Sequence, residues 1–328
     1  MNAKRHVSTI SAAAIAVAAQ TLVVQSLFAQ SYPVKPIRLI VTIEPGGAPD
    51  IGARVLAPPL GDRLGQPVVV ENRTGANGNV GGDVVAKARP DGYTVLYGAD
   101  SLVAINPHVY SRMPFDTLKD IVPIALTTVS QVVISVNPAV PVKTFKEFID
   151  YAKRASPPMA FASGGNASIH HLVMEAVKIQ AGINLTHVPF RSGTPAVAAA
   201  VAGDVQVVVG GNSAANQIRA GKIRAIVSSG KNRLSYLPDV PTINETFPGV
   251  EFNNWLGIWG TGGTPDPVVS RLHNEINLAL SVKETADKIA AAGGAEVWIN
   301  SREFFDKFIR SEHDRYGKIV RALNIKID

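Results

Sequence analysis

The chain reads as an α/β protein of two lobes that face each other across a cleft and are joined by two hinge crossings. Three observations predict this. The 328 residues are too many for one small core and fit about two domains. Short β-branched runs alternate with helical patterns, the sequence form of parallel sheets covered by helices on both faces. Two proline-rich stretches, residues 135–142 and 238–249, are candidate crossings between lobes. With two crossings the first lobe owns both chain ends, the second is inserted within it, and their relative motion is restricted to hinge-like closure. The expected division is residues 1–29 as a signal peptide, 30–130 and 251–328 as the first lobe, and 131–250 as the second.

Hydrophobic residues at 46% and charged ones at 18% describe an ordered globular chain. Cysteine is absent, which removes disulfides, thiolate metal sites and thiol nucleophiles. The first 29 residues run from a basic start, Lys4 and Arg5, through an apolar Ala/Val/Leu stretch to small residues. That is the layout of a secretory signal with cleavage after Ala29. Gln20 and Gln25 interrupt the run and argue against a retained span, which needs roughly 20 mostly apolar residues. Cleavage would take Lys4 and Arg5 from the formal +6, leaving +4, and the mature chain is expected to be soluble and exported. The remaining positive charge forms no long basic stripe, so a nucleic-acid partner is not expected.

Strands are expected at 37–43, 67–71, 94–98, 121–126 and 132–136, then at 159–163, 185–189, 205–210, 223–229 and 255–260. A helix is expected from Thr144 to Ala155, where Thr144 and Glu147 have capping-box spacing. The helix through "ARVLAPPLGDRL" should kink or break near Ala57, because Pro58 and Pro59 each cost about 3 kcal/mol in a helix interior.

Three strand–glycine-loop–helix turns carry the functional signal: "EPGGAPD" (44–50), "ENRTGANGNVGGD" (71–83) and "SGGNASIHHL" (163–172). Glycine lets the main chain approach a ligand, and the following helix offers unpaired N–H groups and a partial positive end. Several such turns on one cleft make a site for a carboxylate or phosphate. The glycine spacing of "GANGNVGG" fits neither the dinucleotide fingerprint nor the phosphate-binding loop that ends in Gly-Lys-Ser/Thr.

The motifs "YPVKPIRLIV", "VVVENRTGANGNVGGDVVAKARPDGYTVLYG", "HLVMEAVK", "VPFRSGTPAV" and "LPDVPTINE" resemble the Bug/TctC family, the extracytoplasmic solute-binding proteins of tripartite tricarboxylate transporters. The resemblance runs from Tyr32 to about Ile325. It implies a two-lobed periplasmic-binding-protein fold of the Venus-flytrap type II class. It further implies capture of a small organic acid, a dicarboxylate or aromatic acid, and delivery to a two-component integral-membrane permease. No cofactor, metal or catalysis is expected, and the chain is expected to be a monomer. Delivery to a membrane sensor is the alternative; an exported hydrolase acting on an anionic substrate is the competing class.

Position by position, the first loop (Pro45, Gly46, Gly47, Asp50) and the third (Gly164, Gly165, Asn166, Ser168, His171) resemble the family's carboxylate-gripping segments. Gly46 and Gly47 would offer backbone contacts, while Asp50 would cap the following helix. Gly75 and Gly78 would line the cleft floor, with Asn77 or Asn79 donating amide hydrogens. Ser168 and the amides of Asn166, Ala167 and Ser168 would hold a carboxylate, and Arg191 is the cation placed to grip one bidentately. The chain departs from the family at Thr42–Ile43, usually proline–aromatic, and at Ala167, Phe190 and Gln206, usually glycine, tyrosine and an acid. Glu44 could face the cleft or lie outward in solvent.

Ser168, His170 and His171 invite a hydrolase reading, but the nucleophile elbow G-x-S-x-G is missing. Adjacent histidines on a helix point about 100° apart and rarely chelate one metal. His171 is expected to bond across to the neighbouring loop, and His187 to be packed or on the surface. Trp255 and Trp259 point to the same face of their strand, either into the core or as an aromatic wall behind a flat ligand.

Overall fold

A computed structural model describes residues 32–291 and 295–327, so the expected signal peptide lies outside the described residues. Among the described residues, eleven strands form two sheets. The first sheet contains β1 (Ile37–Val41), β2 (Val68–Asn72), β3 (Thr94–Ala99), β4 (Ile121–Ser130), β10 (Asn254–Thr261) and β11 (Glu296–Val297) in the order β11-β4-β10-β3-β1-β2. The second contains β5 (Val133–Val136), β6 (Ala160–Ser163), β7 (Thr186–Pro189), β8 (Val207–Gly210) and β9 (Arg224–Ser228) in the order β7-β6-β8-β5-β9.

The sheets share one topology. In the first, β2, β1 and β3 are parallel and β10 runs antiparallel between β3 and β4. In the second, β7, β6 and β8 are parallel and β5 runs antiparallel between β8 and β9. Both sheets are therefore mixed rather than wholly parallel. The reason is connectivity: β5 and β10 are the strands that enter a sheet just after the chain has crossed from the other. Strand direction leaves no mark on an apolar run.

The first crossing lies earlier than the proline-rich stretch suggested. β4 ends at Ser130 and β5 begins at Val133, so Ser135 and Val136 already belong to the second sheet. The return crossing follows β9, and the chain re-enters the first sheet at Asn254. The stretch 238–249 lies within that return and contains a short helix, Ile243–Thr246, closed by a capping box between Thr242 and Glu245.

The helix Ala48–Leu64 continues unbroken through Pro58 and Pro59, against the expectation of an interruption near Ala57. Leu56, Leu60 and Leu64 are buried on the first sheet. At about 1.5–3 kcal/mol per fully buried leucine, that packing offsets the two proline penalties. The helix Phe145–Arg154 starts as its sequence predicts, with the Thr144 hydroxyl accepting the Glu147 amide at 3.1 Å. Trp255 and Trp259 are both buried, 6.2 Å apart between ring centroids, and pack with Phe305 under the first sheet. They belong to the core and form no wall of the cleft. Among the described residues, no helix is long and apolar enough to cross a membrane.

Candidate functional site

The shared topology places matching loops opposite one another. The turns after β1, β2 and β3 correspond to those after β6, β7 and β8, all at the carboxyl ends of parallel strands, where open α/β sheets bind ligands. A cavity of about 100 Å³ is lined from all six turns. Ile43, Gly47 and Pro49 follow β1, Asn77 follows β2, and Asp100 and Ser101 follow β3. Gly164, Ser168 and His170 follow β6, Ser192, Gly193 and Thr194 follow β7, and Gly211 and Ser213 follow β8. Asn254 and Leu256 of β10 close it. A larger hollow of about 540 Å³ shares Ile43, Pro49, Asn77, Ala99, Ser101 and Gly164 and extends to Glu44, Gly75, Gly78, Gly165, Asn166 and Arg191.

Three helices of the second sheet begin at the small cavity: Ile169–Ala181, Gly193–Ala202 and Asn212–Arg219. Their first-turn amides lack intrahelical partners and present partial positive charge. Ser192, at the N-cap of the middle helix, makes no side-chain capping bond, and its hydroxyl is left for the cavity. Among the described residues that line this cavity there is no lysine or arginine. The arrangement can hold an anion with main-chain amides and hydroxyls.

The first loop is braced from within. Gly46, at φ +85°, donates its amide to Asp50 Oδ2 at 2.9 Å, and Gly47 donates to Glu44 O at 3.1 Å. Both amides are thus spent inside the loop, although the sequence suggests them as ligand contacts. Gly47 lines the cavity, whereas Gly46 lines neither space. Asp50 is buried away from the cavity and does not touch it. Its carboxylate also accepts Arg54 Nε at 3.0 Å and Asn72 Nδ2 at 2.8 Å. Burial favours its neutral form, but the bonds from Arg54, Gly46 and Asn72 win and hold it below the usual carboxylate range.

In the second loop, Gly75 and Gly78 line the larger hollow. Both asparagine side chains are bonded to Asn106. Asn77 Nδ2 donates to Asn106 Oδ1 at 2.7 Å, and Asn79 is buried, accepting Asn106 Nδ2 at 2.7 Å. Asn106 lies at the start of a short helix after β3, and no motif in the sequence marks it.

In the third loop the Ser168 hydroxyl donates to Gly165 O at 2.8 Å and accepts the His171 amide at 3.3 Å. It acts as a helix cap, so its proton is not offered to a ligand while that bond holds. Ala167, at φ +53°, is buried and lines neither space. His171 Nδ1 accepts the Ala167 amide at 3.1 Å, and its ring stacks on His187 at 3.9 Å between centroids. His187 Nε2 lies 2.6 Å from Ser163 Oγ, which in turn accepts the Gly165 amide at 3.2 Å. The two histidines therefore fix the loop from behind. Glu44 and Arg191 are both among the residues that line the larger hollow.

Two cavity residues have a setting that the motifs do not assign: Asp100 lies outside them, and His170 lies within the third loop. Asp100 is completely buried, with Oδ1 accepting the Ser101 amide at 2.7 Å and Oδ2 without a partner. Burial pushes its carboxyl up to about 8. His170 has both ring nitrogens buried and unpartnered, and burial pushes it down to about 4.

Residues 52–325 match the family described as the tripartite tricarboxylate transporter family receptor, TctC. The chain belongs to the TctC family. Solved structures agree: the periplasmic binding protein BugD matches with a TM-score of 0.83 at 28% identity, over 90% of this chain and 99% of BugD. A Rhodopseudomonas palustris protein solved with adipate gives 0.85 at 28% identity, over 90% and 99% of the two chains. MatC from the same organism, solved with malate, gives 0.81 at 28% identity, over 88% and 100%. This TctC-family chain is thus a solute-binding receptor of the periplasmic type and not an enzyme, and it has the two-lobed binding-protein fold.

Proposed function

We propose that this TctC-family receptor captures a small organic carboxylate in the cavity between its two sheets and hands it to a two-component integral-membrane permease. Residues 1–29 would direct export to the periplasm, and the mature chain would act as a monomer that closes about the paired crossings near Gln131 and before Asn254. The supporting observation is the cavity itself. Matching turns from both sheets converge there, helices start there, and among the described residues its lining contains no lysine or arginine. Such a site suits an anion small enough to be held by amides and hydroxyls on both sides. Because its walls come from both sheets, the ligand binds the closed form more tightly than the open one and shifts the population towards closure. The adipate and malate held by two structural relatives support a carboxylate over a phosphate.

Calorimetry of the mature chain with malate, adipate, succinate and benzoate tests this. Stoichiometric binding of at least one acid without turnover supports the receptor reading. Absence of binding across the panel, or product formation, contradicts it.

A further inference from the structure

Resting on the carboxylate reading above, we propose that Asp100 is a specificity-determining residue that stays protonated and donates its Oδ2–H to a carboxylate of the bound acid. The cavity then takes an acid anion by sharing one proton across a carboxyl–carboxylate pair, and disfavours ligands that present an amine at that end.

The geometry leaves Asp100 few alternatives. Oδ1 is occupied by the Ser101 amide, while Oδ2 is buried, unpartnered and part of a residue that lines the cavity. Among the described residues lining that cavity it is the sole carboxyl group, with no lysine or arginine to neutralise it. From the helix Arg302–Leu323, Glu312 acts against its ionisation and Arg315 for it. Arg315 is largely committed: it holds Glu312 through bonds of 2.7 and 2.8 Å and donates to Glu251 O at 3.1 Å. Tyr316, on the same helix, is close enough for Asp100 to help hold its proton.

The facing sheet adds no compensating charge. His170, also in the cavity lining, is neutral at pH 7 because burial holds it near 4. Its ring is fixed against glycines: a Cβ on Gly164 would lie 2.7 Å from Nδ1, and one on Gly211 would lie 3.5 Å from Nε2. A carboxylate arriving beside Asp100 would repel an ionised Asp100 but accept a strong hydrogen bond from a neutral one. The bound anion therefore raises the Asp100 pKa beyond its value of about 8 in the free protein. No covalent bond changes. Above about pH 8 the free protein must take one proton from solvent as the anion binds.

The test is calorimetry of the mature chain with the same four acids from about pH 6 to about pH 9.5, in buffers of different ionisation enthalpy. The expected affinity is level up to about pH 8 and then falls about tenfold per pH unit, with close to one proton taken up. Asp100→Asn, whose amide donates but does not titrate, should bind about three- to tenfold more weakly at pH 7 and lose the slope. Circular dichroism separates this from misfolding. An acid that binds with a level profile and no proton uptake overturns the Asp100 proposal alone. Tighter binding at high pH, or preference for an amine-bearing analogue, also overturns it. Failure of every acid to bind even at pH 6 overturns the carboxylate reading itself.

Discussion

Asn77 and Asn106 exchange two hydrogen bonds, Asn77 Nδ2 to Asn106 Oδ1 at 2.7 Å and Asn106 Nδ2 to Asn77 O at 3.0 Å. This joins the turn after β2 to the segment after β3 and supports Asn77 in its left-handed conformation at φ +52°. Asn106 is fully buried and also holds Asn79. Replacing it by alanine strands buried polar partners, so Asn106→Ala should cost about 1–3 kcal/mol of stability. Denaturant unfolding measures that loss, and the variant should also bind its acid more weakly because Asn77 lines the cavity.

Asp50 is the clamp of the first loop. Asp50→Ala releases the Gly46 amide, Arg54 and Asn72 together, with an expected loss of about 1–3 kcal/mol. Because the folded pKa lies below the unfolded one, the contribution of Asp50 is present above the unfolded pKa and is lost as pH falls through the folded value. Acid unfolding should therefore show a smaller drop in stability for Asp50→Ala than for the wild type.

Gly164 tests how tightly the cavity is built. A Cβ there would sit 2.7 Å from His170 Nδ1 and 3.2 Å from the Gly193 amide, both at the cavity. Gly164→Ala must displace the imidazole or spread two loops, at a stability cost of about 1–3 kcal/mol. Ligand affinity should fall at least tenfold while circular dichroism remains that of the wild type, a pair of readings that calorimetry and spectroscopy give directly.

His170 and His187 both titrate near 4 in the folded chain, against an ordinary 6.5. Between those values the unfolded chain binds more protons, so stability falls as pH drops from about 6.5 towards about 4. The double variant His170→Gln, His187→Gln should show a shallower decline across that window in denaturant unfolding. An unchanged slope would mean that neither ring is held neutral by burial.

Much of this architecture was legible in the chain. The apolar runs at 37–43, 94–98 and 255–260 mark strands, and Thr144 with Glu147 marks a helix start, because these signals are local. The glycine turns at 44–50 and 163–172 point to the cleft because each lies between a strand and a helix. What the motifs could not reveal depends on strand order. Asp100, His170, Ser192 and Ser213 belong to four separate turns and meet only because β3, β6, β7 and β8 end at one place. Likewise Gly46 and Asn79 lie in the right turns, yet their polar groups are spent on Asp50 and Asn106. Pro58 and Pro59 misled for the converse reason: a local penalty was overridden by burial of Leu56, Leu60 and Leu64.

A crystal structure of the mature chain with the tightest-binding acid tests the central claim most directly. The account predicts a carboxylate in the cavity between the turns after β3 and β6, within hydrogen-bonding distance of first-turn amides at Ile169 or His170 and of the Ser192 or Ser213 hydroxyl. An acid bound instead through Arg191 in the outer hollow, with the inner cavity unfilled, would contradict it.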